Sequence, residues 1–151
     1  MNWIGNMPHV ARLARLPYME MMRIVYERLR EMGFADANPS YSIVYQFIGE
    51  GARMTEIAKK ANLTKQNMKY IIEQLEDLGY IERFEDKTDG RAVLFKLSKK
   101  GISFRDTAYK VIADVELEWA KDLGKQKMIE LKKLLTELNI VIEKNQSSFY
   151  R

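Results

Sequence analysis

The chain contains no cysteine, which excludes disulfides, thiolate nucleophiles, zinc–thiolate sites and sensing by cysteine oxidation. His9 is its one histidine and has no partner ligands nearby, so the ordinary reading is a surface or hydrogen-bonded imidazole, not a metal ligand. No run of roughly 18 uncharged apolar residues occurs, and no charged, apolar and small-residue leader starts at Met1, so neither a membrane span nor an export signal is expected. A cytoplasmic protein is the expectation. The stretch GEGARM starts like a dinucleotide-binding Gly-x-Gly, but it follows a helical pattern and lacks the third glycine. Glu116 and Glu118 fall on different faces of a helix, which denies them a joint acid and base role. No catalytic residue, cofactor or metal site is expected.

What remains is a chain of 151 residues, 46% hydrophobic, enough for one sizeable core and a single globular domain. The net charge is +4, and its distribution matters more than its size. Arg53 to Gly101 holds eleven basic and eight acidic residues, which concentrates most of the excess in about a third of the chain. That concentration is suggestive of a polyanionic partner.

The outer segments read as helices. Pro17 suits a first helical residue, and Tyr18, Met22, Val25, Leu29 and Met32 follow at alternating four and three spacing until Gly33. The preceding MNWIGNMPHVARLARL is either an arm or a short helix. After Asn38 and Pro39, Ile43, Val44, Phe47 and Ile48 make a short buried helix ending near Gly49. Ser98 can cap a long helix with Phe104, Ala108, Val111 and Val115 in one stripe and Ile112 and Trp119 beside it, broken at Gly124. Met128, Leu131, Leu135, Leu138 and Ile142 mark a last helix. These stripes read first as core, and together they exceed what a small central domain needs covered, so pairing between subunits is expected.

The informative stretch is Met54 to Gly101. Thr55 to about Ala61 is a short helix with Ile57, Ala58 and Ala61 apolar. Asn62 and Leu63 turn tightly, asparagine being one of the few residues that accepts a left-handed backbone. Thr64 caps a second helix whose inner positions are Met68, Ile71, Ile72 and Leu75, closed by Gly79. Two helices on so short a turn read as helix-turn-helix. Thr64, Lys65, Gln66, Asn67, Lys69 and Tyr70 gather at the start of the second helix. Gln and Asn can bond adenine bidentately, and Lys can reach guanine or phosphate. Glu73, Glu76 and Asp77 lie near its end, where they oppose the helix dipole and do not serve helix stability.

YIERF and AVLFKL flank KTDG and read as a β-hairpin, with Val93, Phe95 and Leu97 on one face. Its tip presents Lys87, Thr88 and Arg91, and Asp89 stands close enough to orient the Arg91 guanidinium. A narrow, negative minor groove suits such an inserted arginine. Taken alone, Asp-Gly-Arg is an ordinary turn; the preceding reading helix is what turns it into a DNA contact. The pairs Lys59 and Lys60, Lys99 and Lys100, and Lys132 and Lys133 read as solvated faces.

This arrangement of helix-turn-helix, two-stranded wing and LSKKG start to a long helix resembles the MarR family of winged-helix transcriptional regulators. Thr64, Lys65 and Gln66 match the family's polar start of the recognition helix, Leu75 and Glu76 its leucine-acid pair, and Asp89 and Arg91 its wing signature. The resemblance implies a mainly α fold with a small antiparallel β wing. In it, residues from about 34 to 101 form the winged helix-turn-helix lobe, and about 1–33 and 102–151 form dimerisation helices. It also implies a homodimer that binds double-stranded DNA at near-palindromic operators, as a ligand-responsive repressor. Its ligand cleft would lie between the lobe and the dimerisation helices. Asn62 departs from the glycine common in the turn, and Tyr70 beside Lys69 makes a bulky reading surface that leaves the operator sequence open. A small apolar or aromatic effector would sit near Tyr18, Met22, Phe47 or Trp119, residues that serve equally well as core. The rival reading is a winged helix that binds another protein and never touches DNA.

Overall fold

The computed structural model describes residues 9–149, with side chains through Asn145. Residues 1–8, the first half of the expected arm, lie outside the described residues. The elements are α1 (Val10–Glu31), a single 3-10 turn (Pro39–Tyr41), α2 (Ser42–Phe47), β1 (Ala52–Arg53), α3 (Met54–Lys60), α4 (Lys65–Asp77), β2 (Ile81–Glu85), β3 (Val93–Leu97), α5 (Lys99–Leu123) and α6 (Lys125–Phe149). The fold is mainly helical with one small antiparallel sheet. The chain divides into two compact units, Met1–Ile112 and Ala113–Arg151.

Helix α1 starts earlier than Pro17. His9 is its N-cap, the ring Nδ1 accepting the Arg12 amide at 3.2 Å, and Pro17 lies inside the helix. An interior proline leaves the carbonyl four residues earlier, that of Leu13, without its helical donor. Residues 9–19 are all exposed, so water can serve that carbonyl.

Helices α1, α3 and α4 end in the same way. After α4, the Gly79 amide donates to the Glu76 carbonyl at 2.9 Å and the Tyr80 amide to the Leu75 carbonyl at 2.8 Å. This crossed pair satisfies the last carbonyls and demands a left-handed residue between them. Gly33 and Gly79 supply it after α1 and α4, with φ of 100° and 75°, and Asn62 supplies it after α3 at φ 54°. The asparagine thus does in the helix-turn-helix what glycine does elsewhere.

The sheet has three strands in the order β1-β3-β2, all antiparallel. The expected hairpin is β2 and β3, with Ile81 opposite Leu97 and Glu85 opposite Val93. The third strand corrects the two-stranded wing expected from the sequence. At two residues, Ala52 and Arg53 opposite Phe95 and Leu94, it is too short to show alternation.

The core of the first unit centres on Phe104, which is buried. The rings of Tyr26, Phe34, Tyr45 and Tyr80 surround it at centroid distances of 5.0 to 6.1 Å. Burial raises the Tyr26 hydroxyl pKa to about 12 and pushes those of Tyr45 and Tyr80 higher still. These phenols stay neutral at any physiological pH. Beneath α4 lie Met68, Ile72 and Leu75, at most 2% exposed, whereas Ile71, expected among them, is only partly buried. Ile72→Ala should therefore lower stability by about 2–5 kcal/mol, the range for a buried large-to-small change, in a urea titration. Gln66→Ala on the outer face should leave the midpoint where it is.

Candidate nucleic-acid interface

Helix α4 separates its two faces by period. Met68, Ile72 and Leu75 point inward, and Lys65, Gln66, Asn67, Lys69 and Tyr70 are all exposed. Gln66, Lys69, Tyr70 and Glu73 recur at three and four spacing, so they share the outward stripe. Thr64 Oγ1 accepts the Asn67 amide at 3.2 Å, which commits its hydroxyl oxygen to capping the helix. Tyr70, 63% exposed, is steadied by Gln74, whose Nε2 donates to the Tyr70 hydroxyl at 2.8 Å. Gln74 did not stand out in the sequence, where it reads as an ordinary helix residue.

Two of the three acids near the end of α4, Glu73 and Glu76, have cationic partners. Glu73 lies 3.6 Å from Lys69. Glu76 grips Arg83 of β2 with both oxygens, at 3.0 and 2.9 Å, and the Arg83 guanidinium lies 5.5 Å from the Phe95 ring centre. Glu76, placed against the helix dipole, ties α4 to the wing, while Glu73 pairs within the helix.

The wing tip is organised around Asp86, which is almost fully buried. One of its oxygens, Oδ2, accepts Arg53 Nε at 2.9 Å and Nη2 at 2.5 Å. The other, Oδ1, accepts the Thr88 amide at 2.9 Å and the Thr88 hydroxyl at 2.6 Å. Asp89 faces Arg53 Nη2 at 3.7 Å and accepts the Arg91 backbone amide at 3.2 Å. The sequence suggested that Asp89 orients the Arg91 guanidinium. Instead its carboxylate holds the Arg91 main chain and leans on a different arginine. Arg53, which sequence reasoning missed, is 33 positions from Asp86, and no local pattern signals a pair so distant. Among the described residues the Arg91 guanidinium has no ion pair, and Lys87, Thr88 and Arg91 are exposed together at the tip.

Lys100, read as a solvated lysine, instead bonds Asp36 at 3.0 Å and the Leu78 carbonyl at 2.8 Å, over the Tyr80 ring at 4.1 Å. Of the four residues expected to line an effector cleft, two fall together in a groove of the first unit. Tyr18 and Met22 line a groove of about 400 Å³ with Met19, Tyr26 and Pro39. Arg23 on its rim is locked between Glu20 and Glu27 at 2.6 and 2.7 Å. Phe47 is not among the groove's lining residues, and Trp119 belongs to the second unit.

Residues 45–93 match the MarR family. Over 93 residues the chain is 27% identical to the exopolysaccharide II synthesis transcriptional activator ExpG of Rhizobium meliloti (strain 1021), covering 61% of this chain and 48% of that protein. The chain thus spans about half the length of that relative. The reduced form of MarR from E. coli shares the fold at TM-score 0.74 and 19% identity, over 89% of this chain and 98% of the other. A mutant MarR from E. coli complexed with operator DNA does so at TM-score 0.67 and 19% identity, over 85% and 92%.

The Asp86 contacts carry a pH signature. Its bonds from the Thr88 hydroxyl, from Arg53 and from the Thr88 amide all favour the carboxylate and hold its pKa well below the usual range. Its contribution to stability is complete above the unfolded pKa, about 3.9, and is lost as pH falls through the lower folded value. Asp86→Asn should therefore be less stable than the parent at neutral pH. The gap in urea midpoint should close progressively below about pH 4.

Proposed function

The chain carries the winged helix of MarR-family transcriptional regulators, and from that premise we propose that it regulates transcription by binding double-stranded operator DNA as a homodimer. The observation that carries this reading is the conjunction of the outward stripe of α4 with the unpaired Arg91 at the tip of the wing. A helix rich in amide and amine donors suits the major groove, and a guanidinium on a projecting hairpin suits the minor groove beside it. Gln66 and Lys69 take the base or adjacent phosphate contacts, while Thr64, Lys65, Asn67, Tyr70, Lys87 and Thr88 frame them.

The second copy is proposed from α6. Ile129, Leu134, Leu138, Val141 and Ile142 are all exposed, and so many large apolar side chains on one helix exceed what a soluble monomer ordinarily leaves uncovered. Two copies also provide two reading heads for a near-palindromic site, with half-sites roughly one turn, about 34 Å, apart. The outer helices, about 1–33 and 102–151, take the dimerisation role and the segment between them reads DNA. An apolar or aromatic effector is proposed for the groove at Tyr18 and Met22. Repression follows where the operator overlaps a promoter. The rhizobial relative is named an activator, and the sign of regulation depends on where an operator lies. One observation favours the rival reading as a protein-binding module: Tyr70 and Phe84 are exposed aromatics, at 63% and 43%.

Duplexes selected from a random pool separate these readings. Arg91→Ala should fold as the parent does yet bind the selected duplex much more weakly, with lysine restoring only part, because a point charge lacks the planar fit of guanidinium. Gln66→Ala should cost about 1–3 kcal/mol on the preferred site and relax its sequence preference. A parent protein that retains no duplex would favour the protein-binding module. Deleting residues 125–151 should yield a monomer or an unfolded chain in analytical ultracentrifugation. A folded, truncated monomer with parental affinity would refute the dimer.

A further inference from the structure

Apart from the Glu76–Arg83 pair and the two-residue pairing with β1, the far half of the wing hairpin has little to hold it in place. Residues 82–85 of β2 and 87–91 of the tip are exposed, and beside them on β3 Val93 and Leu94 are only half-buried, so little apolar surface anchors the far half of the hairpin. What fixes it is polar. Arg53 closes β1 and is the N-cap residue of α3, its amide bonded to Glu56 Oε2 at 3.0 Å, so its backbone belongs to the helix-turn-helix. Its guanidinium reaches across to Asp86 at 2.5 Å and to Asp89 at 3.7 Å. Asp86 in turn holds Thr88, and Asp89 holds the Arg91 amide. A continuous line of hydrogen bonds and ion pairs runs from the first turn of α3 to the main chain of Arg91.

We propose that Arg53 is a positioning residue for DNA binding, setting the height of the wing tip above the recognition helix so that Arg91 and the outward stripe of α4 engage one duplex together. The proposal rests on the DNA-binding reading and deepens it. Arg53 is not itself the phosphate ligand, because its charge already faces two carboxylates. Its effect passes through the wing. Without it the tip must be ordered during binding, and that cost is subtracted from affinity.

The test is a double-mutant cycle on the full chain, titrating the duplex that the parent selects from a random pool. Arg53→Met should weaken binding roughly tenfold, the order expected when one or two rotamer-rich side chains must be ordered on association. Arg53→Lys should recover part of that loss. In an Arg91→Ala background, Arg53→Met should cost little more, since the contact it positions is already gone. Additive losses would mean that Arg53 touches DNA directly and would overturn the proposal.

Amide exchange in the absence of DNA supplies an independent reading. In Arg53→Met the amides of Thr88 and Ala92 should exchange faster than in the parent, while that of Leu75 keeps its protection. Unchanged wing exchange would overturn the clamp. Thr88→Val, a change in the exposed tip that leaves the core intact, should accelerate the Ala92 amide to a lesser degree. A parent that binds no duplex would end the DNA reading, and the exchange comparison alone would then decide whether the clamp exists.

Discussion

The first unit depends on how closely two backbones meet. The Tyr80 carbonyl lies only 2.0 Å from where a β-carbon on residue 101 would stand, so nothing larger than glycine allows α5 to start against the end of α4. Around that contact the Ser98 amide donates to the Tyr80 carbonyl at 3.0 Å, the Ser98 hydroxyl to the Gly79 carbonyl at 2.6 Å, and the Gly101 amide to Ser98 Oγ at 3.0 Å. The Tyr80 ring meets Phe104 and its hydroxyl donates to Asp36. Lys100 closes the figure by bridging Asp36 and the Leu78 carbonyl. The C-terminal end of the recognition helix, the root of the wing and the first turn of the long helix are therefore one joint. The tilt of α4 is set there, far from the residues that would read DNA.

Much of this was legible in the sequence because it is written in local periods. The helix-turn-helix announced itself through Met68, Ile72 and Leu75 at helical spacing, the Thr64 cap and the tolerant Asn62. The hairpin showed in its β-branched and aromatic runs around KTDG. What stayed hidden was non-local or too short to have a period. A two-residue strand carries no alternation, the Arg53–Asp86 pair spans 33 positions, and the five-ring cluster draws its members from α1 through α5. Pro17 misled for a related reason. Its preference for a first turn is real, yet an exposed helix tolerates it further in.

The charges show a division of labour that composition concealed. At the end of α4 the acids, unfavourable toward the helix dipole, are used to fasten the wing through Arg83 and to restrain Lys69. At the wing the acids immobilise Arg53 and the loop backbone. Arg91, exposed at the wing tip, is among the cations left without a carboxylate among the described residues. Its main chain is held by Asp89, which also faces Arg53.

That pattern alters how the protein would respond to ionic strength. Of the eleven basic residues between Arg53 and Gly101, Arg53, Lys69, Arg83 and Lys100 carry carboxylate partners. A paired cation brings its own neutralising charge and displaces few of the ions condensed on a duplex. An unpaired one releases about 0.9 of an ion for each phosphate it neutralises. Within this stretch each copy would thus contribute chiefly the seven remaining cations, joined by Lys69 where it leaves Glu73 for the duplex, and the slope measures how many charges the fold has left unspent.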